Sequence, residues 1–232
     1  MRIALCFAGQ PRSFEKGYEY YARNLLNNND VDVFIHTWEG DGVDELLKLY
    51  KPKRYCIDKP IANICDFDGK FTNTPNAEKW PPRFTVSAFY SMFMSCFLKI
   101  NQEMIDRQYD WVVKSRTDYA MNGIIPFDQL DETRLYIPNC RMVETRDFGN
   151  DQFAFGSSDV MNQYMQTYMH LDTYYNAGVE MIGEDMMSAN LKRFGLVGEK
   201  LVYVDMNNPF PPGPHNGTPH SLIRDDYEKW TQ

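Results

Sequence analysis

The stretch Trp111-Val112-Val113-Lys114-Ser115-Arg116-Thr117-Asp118 decides how this chain is read. Bulky apolar residues form an interior strand, and a dense run of charges follows at once. Charges at that density have to leave the sheet interior, so they emerge at its carboxyl edge. Outward from it, strand-like runs alternate with helical ones. Upstream, residues 3–8 form a short apolar run closed by Gly9-Gln10-Pro11, and residues 31–37 form a second, β-branched and aromatic one. Between them, residues 14–26 carry helical spacing and stop in an Asn run. Residues 44–50 read as a short helix and 54–57 as a third strand. A loop follows over residues 59–83, with four prolines.

The clearest helix lies just before the deciding strand. Phe89, Phe93, Phe97, Ile100 and Met104 step at helical intervals along one face. Val86, Tyr90, Met94 and Leu98 fill a second face, which predicts a helix buried nearly all round. Downstream, residues 135–137, 153–155 and 201–204 read as strands, and 159–175 and 184–194 as helices. Residues 207–219 hold five prolines and two glycines and fit neither. The alternation predicts an α/β fold, with a mainly parallel central sheet and helices on both faces. In such sheets, polar residues at the carboxyl ends of strands face the ligand crevice. That selects residues 9–12, 37–39, 114–118 and Gly156-Ser157.

Composition sets the outer bounds. The chain has 232 residues, enough at about 150 residues per domain for one large domain or two small ones. Hydrophobic residues at 43% with 24% charged exclude a disordered scaffold. A net charge of -8 argues against gripping nucleic acid or an anionic membrane. Five scattered cysteines without C-x-x-C spacing read as free thiols in a reducing compartment. The N-terminal apolar run is too short for a signal segment, and residues 86–100 are too short to span a bilayer. A soluble, cytoplasmic protein is expected.

Four constellations carry possible chemistry. In the first, Ala8-Gly9-Gln10-Pro11-Arg12, a glycine lets backbone N–H groups approach a ligand and Arg12 offers a planar fork to phosphate oxygens. In the second, Lys114, Arg116 and Asp118, a carboxylate stands ready for a divalent cation that bridges phosphates; the bland alternative is an Arg116–Asp118 ion pair. In the third, Gly183-Glu184-Asp185, acids open a helix, either answering the helix dipole or holding a base rigidly at a crevice. Asp151, in Asn150-Asp151-Gln152, is a rival carboxylate. The fourth is His215 and His220, either ordinary surface-loop histidines, the more common fate, or supplementary metal ligands in a loop able to close over substrate. His36 and His170 read as structural.

Taken together, these residues resemble small glycosyltransferases of the GT-A fold. The likeness runs through Ile3-Ala4-Leu5-Cys6-Phe7-Ala8-Gly9-Gln10-Pro11-Arg12, Asp32-Val33-Phe34-Ile35-His36-Thr37-Trp38 and Tyr109 to Asp118. It is nearest to bacterial and viral enzymes with G-Q-x-R and D-V-F-I-H-T-W signatures, which for a viral protein means the host cytoplasm. The resemblance implies one GT-A-like domain over residues 1–232, with a donor nucleotide-binding half (1–118) and an acceptor and catalytic half (119–232). It implies a nucleotide-sugar donor touching Ala8, Gly9, Gln10, Arg12, Thr37, Lys114, Arg116 and Asp118. The acceptor is a glycan or glycoconjugate.

The family's D-x-D motif holds Mn or Mg on the diphosphate. Asp118 matches its last acid, while Arg116 replaces the first and itself supplies positive charge. The family's x-E-D motif matches Gly183-Glu184-Asp185, which makes Asp185 the base of an inverting transfer. With Asp151 beneath the anomeric carbon instead, the stereochemistry is open. A C-terminal metal-binding histidine is similar to His215-Asn216-Gly217. Two other classes compete: a sulfotransferase using a phosphosulfate donor, suggested by Gly9-Gln10-Pro11-Arg12-Ser13, and a non-catalytic nucleotide- or carbohydrate-binding module.

Overall fold

The computed structural model of the chain describes residues 1–60, 67–72, 78, 81–138 and 150–204. Strands and helices alternate through the first half: β1 (Arg2–Ala8), α1 (Phe14–Tyr21), β2 (Asp30–Trp38), α2 (Val43–Tyr50), β3 (Arg54–Asp58), the single turn α3 (Phe67–Lys70), α4 (Pro82–Glu103) and β4 (Trp111–Ser115). The second half adds β5 (Leu135–Pro138), β6 (Ala154–Gly156), α5 (Ser158–Met165), α6 (Leu171–Asn176), α7 (Gly183–Arg193) and β7 (Leu201–Val204). The strands join one sheet in the order β3-β2-β1-β4-β6-β5-β7. β1 pairs in parallel with β2 and β4, β2 with β3, and β5 with β7. Among the described strands, only β6 runs against its neighbours, β4 and β5. The expected α/β fold with a mainly parallel sheet is present, and it is compatible with a Rossmann-like arrangement.

Both faces of the sheet are covered, which is why the parallel strands read as unbroken apolar runs. Ala4, Cys6, Phe34 and Val112 face a core shared with α4 to α7. Ile3, Leu5, Val33, Ile35 and Val113 face a second core with Phe14, Tyr21, Leu46 and Tyr50 from α1 and α2. α1 ends in a widened turn, where the Asn27 N–H donates to the Ala22 carbonyl five residues back at 3.1 Å.

Three expectations need correction. α4 is not buried all round: Phe97 is 46% and Met104 80% exposed, while Val86, Phe89, Met92, Ser95, Cys96 and Lys99 are buried. Small serines let the helix settle close on the sheet, and its apolar stripe packs at Phe89 but turns outward at Phe97 and Met104. The helix expected over residues 159–175 breaks after Met165, where the Thr167 hydroxyl donates to the Tyr164 carbonyl at 3.0 Å and competes with the helical ladder. Gly156-Ser157 is not at the carboxyl edge. Because β6 is reversed, Gly156 lies beside Val112 near the start of β4, and the turn before β6 reaches the edge instead.

Candidate functional site

The chain passes from β1 to β2 to β3 on one side, then crosses through α4 to β4 on the other side of β1. The switch point of the sheet therefore lies between β1 and β4, whose carboxyl ends are the usual ligand position in such sheets. Contacts within the protein fix the loops that follow these two strands. The Thr117 hydroxyl lies 3.2 Å from the carbonyls of Gln10 and Arg12, joining the two loops. The Ser115 and Tyr21 hydroxyls bond to each other beneath them. Gly17 of α1 packs so closely that a Cβ there would overlap the Thr117 carbonyl.

Gly9 takes φ 113°, a conformation that L side chains rarely adopt. Its N–H donates to the Ser91 hydroxyl at 2.7 Å and lies 3.3 Å from the His36 carbonyl. The glycine therefore shapes the turn, with its N–H already engaged. Ala8 is buried at the strand end, while Gln10 and Arg12 are exposed at the rim. Thr37 is fully buried, and its hydroxyl has no hydrogen-bond partner among the described residues. By strand alternation it shares the α1 side with Val33 and Ile35, whereas Lys114 shares the α4 side with Val112. Thr37 and Lys114, grouped in the sequence reading, thus lie on opposite faces.

The end of β4 gathers most of the remaining candidates. Arg116 grips Asp118 with two parallel hydrogen bonds, Nε to Oδ1 at 2.8 Å and Nη2 to Oδ2 at 2.7 Å. The Lys114 ammonium donates to the Asp151 carbonyl. Burial pulls the Lys114 ammonium down to about 8, against the opposing charges of Asp151 and Asp118. The Asp151 carboxylate faces α7, with Oδ2 3.0 Å from where a Gly183 Cβ would stand. Gly183 leaves room for it at the helix start. Burial, with the charges of Asp151 and Asp185 adding to it, pushes the Glu184 carboxyl up. Asp151 and the start of α7, rivals in the sequence reading, are therefore neighbours in one acidic patch beside two cations. Glu184, not singled out in its own right, belongs to that patch.

The described residues do not make an oxygen cage for Mn2+ or Mg2+ at Asp118. Such ions collect several oxygen ligands. Here both Asp118 oxygens are occupied by a guanidinium, whose charge opposes a cation. Among the described residues, the grouped potential ligands are His36, Cys56 and Asp58, a different place. His215 and His220 lie outside the described residues. Sequence reasoning passed over Cys56 and Asp58 because their only signal is period-two spacing on a short strand.

No protein-family model matches this chain, and no curated protein matches it. Among the described residues, no helix is long and apolar enough to cross a membrane.

Proposed function

We propose that this protein is a GT-A-like glycosyltransferase that moves a sugar from a nucleotide-diphosphate sugar to a hydroxyl of a glycan acceptor. The observation that carries the reading is the meeting, at the β1–β4 switch point, of Lys114 and Arg116 with the carboxylates of Asp151 and the α7 start. Transfer breaks the bond between the anomeric carbon and a diphosphate oxygen and forms one to the acceptor oxygen. Negative charge grows on the leaving diphosphate, where Arg12, Lys114 and Arg116 supply positive charge. The acceptor proton passes to a carboxylate on the other side of the sugar. Asp185 is that base, held on a helix start, and Asp151 orients the acceptor.

Incubating the protein with a panel of nucleotide-sugars without acceptor tests the reading. Slow release of nucleoside diphosphate from one donor, lost in Asp185→Asn, is the expected result. Thermal stabilisation by adenosine 3′,5′-bisphosphate and by no nucleoside diphosphate would replace it with the sulfotransferase reading. Stabilisation by nucleotide without any turnover would leave a binding module.

A further inference from the structure

On the other side of β1 from β4, a second cluster lies at the carboxyl ends of β2 and β3, on the face covered by α4. His36 and Cys56 are register partners across the two strands, and Asp58 follows Cys56 by two residues, on the same face. A His36 ring nitrogen, the Cys56 Sγ and an Asp58 carboxylate oxygen all lie within 4.8 Å of one another. We propose that these three side chains bind Zn2+, with a fourth coordination position open to solvent.

The donor set selects the metal. Imidazole nitrogen, thiolate sulfur and one carboxylate oxygen suit a borderline-soft ion such as Zn2+, whereas Mg2+ and Ca2+ require oxygen throughout. The spacing is close to what such an ion needs. Metal–ligand bonds of about 2.0–2.3 Å place tetrahedral ligand atoms roughly 3.3–3.8 Å apart. His36 Nε2 is 3.1 Å from Asp58 Oδ2, and Cys56 Sγ is 3.6 Å from Asp58 Oδ1. The two distances end on different Asp58 oxygens, so coordination through one oxygen requires the carboxylate to turn within a cluster already held inside 4.8 Å.

The surrounding hydrogen bonds allow the change without rebuilding. His36 Nδ1 is 2.7 Å from the Ser91 hydroxyl, which is also 3.3 Å from the His36 carbonyl. With the Ser91 hydroxyl donating to Nδ1, the Nε2–H donates to Asp58, and no cation is needed. With that proton turned to the carbonyl, Nδ1–H donates to Ser91 and the Nε2 lone pair is free for a metal. A second partner on the far ring nitrogen is what fixes the tautomer of a metal-binding histidine. The Tyr90 hydroxyl donates to Asp58 Oδ2 at 2.9 Å and steadies the carboxylate. Trp38 and Tyr90 meet the imidazole edge-on and limit its rotation. His36 is buried, while Cys56 and Asp58 are partly exposed, so an ion has a solvent path. Binding expels the Cys56 thiol proton to solvent. Because Ser91 also accepts from the Gly9 N–H, the ion would stiffen the turn after β1.

The proposal is tested optically on the full chain, independently of any transferase activity. After chelator treatment, Co2+ is titrated and the thiolate-to-cobalt charge-transfer absorption is followed, with Zn2+ then added as competitor. The expected result is saturation at a single equivalent and displacement by Zn2+. Cys56→Ser should abolish the charge-transfer band. Asp58→Asn should keep the band but weaken Co2+ binding by about 10–100-fold, at least the loss seen when an outer partner of a site is removed. No band in the wild type, or a band that survives Cys56→Ser, overturns the site. Should Cys56→Ser fail to fold, Asp58→Asn decides alone, and unchanged Co2+ affinity in it overturns the proposal.

Discussion

Arg116→Met removes the guanidinium and leaves the Asp118 carboxylate, at a side-chain exposure of 3%, without its hydrogen-bonded countercharge and with Lys114 as the neighbouring cation. Two charge-assisted hydrogen bonds, at 2.8 and 2.7 Å, are lost with it. Removing one partner from a buried ion pair costs about 3–5 kcal/mol. The Arg116 side chain is 29% exposed, so solvent screens part of the attraction. The low end, about 3 kcal/mol, is therefore expected. At roughly 2–4 °C per kcal/mol for a chain of this size, Tm should fall by about 6–12 °C.

Arg116→Met combined with Asp118→Leu removes both charges and should recover most of that loss, because apolar replacement of a buried pair is often near neutral. The assay is urea unfolding of the wild type, both single variants and the double variant, read as a thermodynamic cycle. Suppose Arg116→Met costs less than about 1 kcal/mol, with no coupling in the cycle. Asp118 would then be paired elsewhere, and the case against a cation at its carboxylate would collapse.

Further outcomes follow from neighbouring residues. Gly17→Ala should lower stability, since an overlap with the Thr117 carbonyl costs about 1–3 kcal/mol while better helix propensity returns at most about 1; a raised Tm would contradict the packing. The folded-state pKa of Lys114, down from 10.5 to about 8, means the unfolded chain binds more protons between those values. Stability should therefore rise with pH across that window through this group, and Lys114→Met should remove the rise in pH-dependent denaturation curves. Over the same window the ammonium is lost, so nucleoside diphosphate affinity measured by calorimetry should fall in the wild type and stay flatter in Lys114→Met. Asp185→Asn should lower kcat by about 100-fold or more with donor affinity kept, and Asp151→Asn should act mainly on acceptor KM. The reverse pattern in steady-state kinetics would exchange their roles.

Much of the fold was legible from local pattern. Apolar runs over residues 3–8, 31–37 and 111–113 placed β1, β2 and β4, because a sheet covered on both faces takes mostly apolar strands; Lys114 and Ser115, expected to leave the sheet, instead stay buried in β4. Loop placement followed from the same rule, which is why Arg12 and the 114–118 stretch were expected at one edge of the sheet, where Thr117 meets the Arg12 carbonyl. The α4 stripe misled because periodicity says which residues share a face, while packing distance chooses the face. Ser91 and Ser95 approach the sheet where Phe97 would not fit.

Three further features depended on geometry that the sequence pattern does not carry. The reversal of β6 brought Asp151 to the carboxyl edge and sent Gly156 to the other, since strand direction is settled by pairing partners and not by composition. Arg116 and Asp118 could be read as an ion pair or as a cation site until their geometry joined both carboxylate oxygens to one guanidinium. His36, Cys56 and Asp58 came together only because β2 and β3 lie parallel in one particular register. A sequence records which chemical groups are available and how they alternate. The distances that make a site arise when strands far apart in the chain pair, and those pairings are chosen by burial across the whole sheet.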